Sequence, residues 1–165
     1  MKSLNIKDFA LHQPKLENVK IGYQVKNIEL IDKDLNFLSL YDVKGKKIIS
    51  LFPSIDTGIC DSQTKYLHKL AKEKQMSLIN VSADLPFALN RWCVSNEIPD
   101  AKLYSDYLGL KLGHELGVVI PEANLLYRSI FILDEDNKII YFQLAKFVAS
   151  SLDFDSIKQF LNSSN

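Results

Sequence analysis

A chain of 165 residues, 47% apolar and 24% charged, is long enough for one compact domain with a real core and is neither disordered nor fibrous in composition. Twenty Lys and Arg balance twenty Asp and Glu, so the formal net charge is zero, without the basic surplus a nucleic-acid binder shows. No run approaches the roughly eighteen uninterrupted apolar residues of a membrane span. The opening MKSLNIKDFALHQP is broken by Lys7 and Asp8, has no small-residue cleavage site after it, and is not read as a signal peptide. The expectation is a single cytoplasmic domain over residues 1–165, with neither membrane nor nucleic acid as partner.

Between Lys20 and Asp32 the weak alternation of Ile21, Tyr23, Val25, Ile28 and Leu30 predicts strands of modest burial. Phe37–Tyr41 reads as a short strand and Val43–Lys46 as a turn. Lys47–Phe52 (KIISLF) reads as a buried strand ended by Pro53, which cannot donate to a central ladder. From Cys60 to Lys74, Leu67, Leu70 and Ala71 recur at helical spacing, with Lys65, Lys69, Lys72 and Glu73 on the wet face. Ser77–Val81 is a second buried strand. Asp84 has the chemistry of an N-cap, and Pro86 that of the first turn of a helix running to about Ser95. A further helix is expected over Ser105–Glu115, stopping at Gly117. Ser129–Leu133 and Lys138–Leu144 read as a hairpin around the polar turn Asp134–Asn137, and an amphipathic helix over about Phe154–Leu161 closes the chain. A β-α-β unit followed by a hairpin and a last helix is the pattern of an α/β, thioredoxin-like layered fold, here with an N-terminal β-hairpin extension.

Cys60 and Cys93 are the only cysteines. In a reducing compartment a structural disulfide is not expected, so they are either inert core thiols or a redox couple. The segment Pro53–Cys60 (PSIDTGIC) lies between a buried strand and a helix. It puts the Cys60 sulfur in the first helical turn, beside unpaired backbone N–H groups and the positive end of the helix dipole. Both favour a thiolate, which is the reactive form. On placement alone, Cys60 reads equally well as a small apolar residue packing a helix end.

The eight residues PSIDTGIC closely resemble the active-site stretch of the thiol peroxidases, a branch of the peroxiredoxins. The general pattern of that family is Pro, three residues, Thr, two residues, Cys, matched by Pro53, Thr57 and Cys60. The stretch SADLPFA at Ser82–Ala88, followed by Arg91-Trp92-Cys93, resembles the branch's resolving-cysteine segment, thirty-three residues after Cys60. The stretch LLYRSIFILD at Leu125–Asp134 is similar to the strand carrying the family's arginine, here Arg128. The resemblance spans nearly the whole chain. It departs at Val25-Lys26-Asn27-Ile28, where the family often has Ala-Pro-Asp-Phe, and at Leu152, where a proline is common. It departs also at Tyr127, where alanine often precedes the arginine, a change that points to the substrate mouth or a dimer contact.

The resemblance implies a thiol-dependent peroxidase that reduces hydrogen peroxide and organic hydroperoxides. Cys60 is then the peroxidatic thiol, attacking the O–O bond and becoming a sulfenic acid. Cys93 is the resolving thiol, forming an intramolecular Cys60–Cys93 disulfide that thioredoxin reduces. A homodimer is implied as well. An exposed helix end contributes only about 0.3–1 kcal/mol to an anion, so a nearby cation is needed. Arg128 is the candidate, because it stays charged and offers several fixed donors. Thr57 is expected to hydrogen-bond at the peroxide and to cap the helix, Pro53 to shield the sulfur from water and end the strand, and Asp56 to be a solvated turn residue. A disulfide needs Cα atoms within about 7 Å, whereas packed helix axes lie about 8–10 Å apart. Local unwinding at one or both cysteines is therefore expected in each cycle. Trp92 reads as packing.

His68 lies eight residues past Cys60 on the same helix, about 12 Å along its axis, and is out of reach as a base. No Cys/His spacing resembles a zinc site, so neither metal nor cofactor is expected. Two other readings are a thioredoxin-type disulfide oxidoreductase, whose Cys-x-x-Cys would need a cysteine where Gln63 stands, and a non-catalytic binding or chaperone module on the same fold.

Overall fold

The computed structural model describes residues 3, 11–17 and 19–164, so the reading of the opening MKSLNIKDFALHQP falls largely outside them. Two runs form the middle of the fold: β3 (Lys47–Leu51, KIISL) and β8 (Ser129–Leu133, SIFIL), buried at every position. Continuous apolar runs of this kind suit strands covered on both faces. β3 pairs in parallel with β4 (Ser77–Ser82) and antiparallel with β8. β4 pairs in parallel with β5 (Leu103–Ser105), and β8 antiparallel with β9 (Ile139–Leu144). β1 (Glu29–Asp32) and β2 (Phe37–Ser39) form an antiparallel hairpin docked on β5, giving a seven-stranded sheet of order β2-β1-β5-β4-β3-β8-β9.

The connection from β3 to β4 is α1 (Gly58–Lys74), and from β4 to β5 it is α2 (Pro86–Ser95). The closing helix α4 (Phe154–Ser163) is capped by Asp153, which accepts from the Ser156 N–H. Tyr66 of α1 and Phe154 of α4 bring their rings to 4.4 Å, which packs these two helices together. A large apolar cluster spans the sheet. A smaller one holds Phe52, Ile55, Cys60, Leu89, Trp92, Cys93, Ala101 and Leu103. The loops after β3 and β4 therefore leave adjacent parallel strands at their carboxyl ends, the usual place for a site in an open α/β sheet.

The structure differs from the sequence reading in four places. Lys20–Ile28 contributes only an isolated bridge from Gln24 to Lys138, and the strand itself is confined to Glu29–Asp32. Phe37–Tyr41 divides into a three-residue strand and a 3-10 turn over Leu40–Asp42. The helix expected over Ser105–Glu115 shrinks to α3 (Lys111–Glu115), with Ser105 ending β5 instead. The break is built by Gly109 and Leu110, both at positive φ, and by the buried Asp106, which accepts from the N–H groups of Leu112 and Gly113. β6 (Val119–Ile120) and β7 (Leu125–Leu126) make a small separate ladder. Among the described residues no helix is long and apolar enough to cross a membrane.

Candidate active site

Pro53 ends β3 and is buried, and the chain runs on through the buried Ile55 before surfacing at Asp56–Gly58. Asp84 ties this loop down. Its carboxylate accepts from Ser54 Oγ at 2.8 Å, from the Ile55 N–H at 2.8 Å and from Ser82 Oγ at 2.6 Å. The expected N-cap role of Asp84 is thus not what the structure has: Leu85 occupies the cap position of α2, and Pro86 stands in its first turn. The reason is register: with Pro86 as the first helical residue, Leu85 takes the cap position, and the Asp84 carboxylate one residue earlier is turned to Ser54, Ile55 and Ser82.

Thr57 is the N-cap residue of α1 in backbone conformation (φ −97°, ψ 144°), but its side chain makes no cap bond. The hydroxyl donates instead to the Ser54 carbonyl at 3.1 Å. The first N–H groups of α1 thus keep no side-chain acceptor, which leaves the positive helix end bare at the sulfur. Cys60, third in the helix, is fully buried.

Against it lies Arg128, 2% exposed and positioned just before β8. Its Nη2 donates to Cys60 Sγ at 3.1 Å, its Nη1 to Gln63 Oε1 at 2.9 Å and its Nε to the Val148 carbonyl at 3.2 Å. Gln63 in turn donates to Ser50 Oγ at 2.7 Å. A buried guanidinium calls for an anion, and its oxygen partners here are a neutral amide and a neutral carbonyl. The group in reach that can carry negative charge is the Cys60 sulfur. The arrangement sets a buried cation against the Cys60 sulfur at a helix end.

Cys93 lies in the last turn of α2, 1% exposed, in the same apolar cluster as Cys60. Both cysteines are free. Burial pushes the Cys93 thiol up, with Lys33 opposing it, so this sulfur is a thiol where Cys60 faces a cation. Two contacts cross between the cysteine segments. Arg91 pairs with Asp56 at 2.8 Å, and Trp92 Nε1 donates to Asp61 Oδ1 at 2.8 Å. Asp56 is therefore not simply solvated. It holds an exposed ion pair of the kind worth at most about 1 kcal/mol.

Pro53, Thr57, Cys60 and Arg128 meet around one sulfur or its loop, and Cys93 shares the cluster behind it. Sequence reasoning missed Gln63, Ser50 and Asp61. Gln63 carried a usable signal: it falls three residues after Cys60 on the stripe with Leu67 and Leu70, a polar side chain where the helix buries its apolar face. Tyr127 is fully buried, its hydroxyl donating to the Ala145 carbonyl at 2.7 Å, so it sits neither at an exposed mouth nor on an outer contact face. Val25 is buried, Lys26 N–H donates to Glu115, and Asn27 accepts from Ser39 Oγ and the Tyr41 N–H. The departure at 25–28 thus serves the hairpin and its neighbours. His68 lies beside Asp100, at 3.8 Å. Among the described residues no group of three or more His, Cys, Asp or Glu is arranged to hold a metal ion.

Residues 20–161 match the family model described as Redoxin. The thiol peroxidase of Staphylococcus haemolyticus is 40% identical over 155 residues, covering 93% of this chain and 92% of that protein. Among solved structures, a peroxiredoxin-like protein from Aquifex aeolicus superposes with a TM-score of 0.78 at 27% identity, over 87% of this chain and 86% of its own. The thiol peroxidase from Chromobacterium violaceum superposes with a TM-score of 0.79, covering 91% of this chain and 90% of its own; at 20% identity this speaks for the fold. The chain belongs to the redoxin family, in the thiol peroxidase branch of the peroxiredoxins.

Proposed function

We propose that the protein reduces hydrogen peroxide and organic hydroperoxides with Cys60 as the attacking sulfur, Cys93 as the resolving sulfur and thioredoxin as the electron donor. The observation that carries this reading is the 3.1 Å contact from Arg128 Nη2 to Cys60 Sγ in the first turn of α1. Opening of the exposed Asp56–Gly58 loop admits the peroxide to the buried sulfur. The Cys60 thiolate attacks one peroxide oxygen, the O–O bond breaks, and the second oxygen leaves as an alkoxide or hydroxide that takes a proton to become alcohol or water. Charge builds on that departing oxygen, and the guanidinium of Arg128 with the free N–H groups of the α1 start supplies fixed donors for it. Thr57, at the exposed edge, positions the peroxide, while the buried Pro53 keeps bulk water from the sulfur.

The product is a sulfenic acid on Cys60. Cys93 attacks that sulfur, water is lost, and a Cys60–Cys93 disulfide forms. A thioredoxin dithiol then reduces the bridge and is itself oxidised, restoring both thiols. Cys93 begins as a buried thiol on a separate helix, so α1 and α2 unwind locally in this step. The protein works as a homodimer in the cytoplasm, with no cofactor. The test is peroxide-dependent NADPH oxidation in the presence of thioredoxin and its reductase, without oxygen. Turnover that requires both peroxide and thioredoxin supports the reading. A protein that consumes no peroxide under these conditions refutes it.

A further inference from the structure

Tyr127 brings a large phenol into the core, and its one hydroxyl is spent on the carbonyl of Ala145, the residue immediately after β9. The Ala145 N–H donates to the Arg128 carbonyl at 3.0 Å. Ala145 is thus bound through its N–H to the backbone of Arg128 and through its carbonyl to the side chain of Tyr127. Three residues on, the buried Val148 presents the carbonyl that accepts from Arg128 Nε at 3.2 Å. The short strap 145–148 therefore begins at the Tyr127 hydroxyl and ends on the guanidinium that faces Cys60.

A guanidinium is planar, and its direction is set by how many of its edges are held. Here the strap holds the Nε edge, Gln63 holds Nη1, and Nη2 is left for the sulfur. Freeing the strap frees the first of these. The strap has surface side-chain ties as well: Gln13 Nε2 donates to the Lys146 carbonyl at 2.9 Å, and Ser150 Oγ accepts from the Phe147 N–H and donates to the Phe147 carbonyl, each at 2.8 Å. Burial pushes the Tyr127 phenol above the ordinary tyrosine range, which keeps the hydroxyl protonated and donating.

We propose that Tyr127 is a positioning residue for peroxide reduction, acting through the Ala145–Val148 strap to hold the Arg128 guanidinium against the Cys60 sulfur. The inference rests on the reading of Cys60 and Arg128 given above. Tyr127 itself touches neither the sulfur nor the peroxide.

The experiment follows the first attack on hydrogen peroxide in a single turnover of the reduced protein, for wild type, Tyr127→Phe, Arg128→Met and the double variant. Phenylalanine removes only the hydroxyl and leaves the Ala145 carbonyl unpartnered. Tyr127→Phe is expected to slow the attack by about five- to thirtyfold, the cost of a mispositioned group, with the far-ultraviolet spectrum unchanged. The double variant is expected to be no slower than Arg128→Met alone, because the hydroxyl works through that guanidinium. Attack by Tyr127→Phe at the wild-type rate overturns the proposal, and so do effects that simply multiply in the double variant. Arg128→Met attacking at the wild-type rate defeats the reading of the site, and the Tyr127 role with it. A slow Arg128→Met beside an unchanged Tyr127→Phe defeats the Tyr127 role alone. Should Tyr127→Phe fail to fold, Gln13→Ala cuts the bond to the Lys146 carbonyl on the same strap, together with the Gln13 contact to the Tyr127 phenol, while the phenol itself stays in place. It is expected to slow attack by about twofold, an effect absent in the Arg128→Met background; no slowing overturns the proposal.

Discussion

Trp92 donates its indole N–H to Asp61 at 2.8 Å, so the residue before Cys93 is bonded to the residue after Cys60. Bringing the two sulfurs together means turning both helices locally, and a bond between their neighbours resists that. In the cycle proposed above, this bond favours the arrangement that attacks peroxide over the one that makes the disulfide.

Trp92→Phe keeps most of the ring and removes the donor. The half-exposed setting of Asp61 limits the loss of stability to about 1 kcal/mol. Disulfide formation after a peroxide pulse is expected to quicken, and the fraction of Cys60 driven to sulfinic acid at high peroxide to fall. Mass spectrometry of quenched digests reads both. An unchanged partition between disulfide and sulfinic acid would show that the bond does not restrain the step.

The permanent charge of Arg128 is the second point of leverage. Arg128→Met keeps the approximate stem volume and removes the cation together with all three donors. The second-order rate of attack is expected to fall by well over tenfold, the order of losing a charge-assisted bond worth about 1.5–3 kcal/mol. Stopped-flow kinetics with hydrogen peroxide measures it. A rate within twofold of wild type would put the role on another cation. Arg91 is a poor substitute, being exposed and held by Asp56.

Lys47 gives a stability prediction away from the site. It is fully buried at the start of β3, its Nζ donating to Asn137 Oδ1 at 2.5 Å, and burial lowers its pKa. Below that lowered value the folded state carries a charge it solvates poorly. As pH rises from there toward 10.5, the unfolded chain keeps more protons than the folded one, so stability rises with pH in that window. Urea denaturation between pH 7 and 10 is expected to show that rise in wild type and a flatter profile in Lys47→Met. Equal slopes in both would mean that the lysine is not its source.

Which parts of this were legible in the sequence follows from how local each signal is. KIISL, SLINV and SIFIL read as strands because a short apolar run needs no partner to be recognised, and α1 and α4 showed their periodicity within their own residues. The stretch after Ser105 misled for the same reason. The expected helix over Ser105–Glu115 is broken by the positive φ of Gly109 and Leu110 and by the carboxylate of Asp106 reaching six and seven residues on. At the site, the motif pointed to Cys60, Thr57, Pro53 and Arg128. What it left dark were residues whose meaning is a partner elsewhere: Ser50 under Gln63, Asp61 under Trp92, and Asp84, whose three bonds pin the loop. Each is an ordinary polar residue until the fold supplies its neighbour.

The sharpest test separates a resolving thiol from a core thiol at Cys93. Cys93→Ser leaves Arg128, Gln63 and the start of α1 untouched, so the first attack on peroxide is expected at the wild-type rate. Turnover with thioredoxin should collapse, by roughly a hundredfold or more, because the intramolecular bridge that the donor reduces cannot form. Sulfenic acid then accumulates on Cys60, where it traps a dimedone-type probe or, at high peroxide, oxidises further. Wild type given one equivalent of peroxide should instead yield a Cys60–Cys93 peptide bridge. The buried starting state of Cys93, 1% exposed and pushed toward the protonated thiol, makes the outcome informative, since a merely structural cysteine would look the same before oxidation. Cys93→Ser that turns over like wild type, with no bridge in the oxidised protein, would leave Cys60 acting alone. Its reductant would then have to attack the sulfenic acid directly.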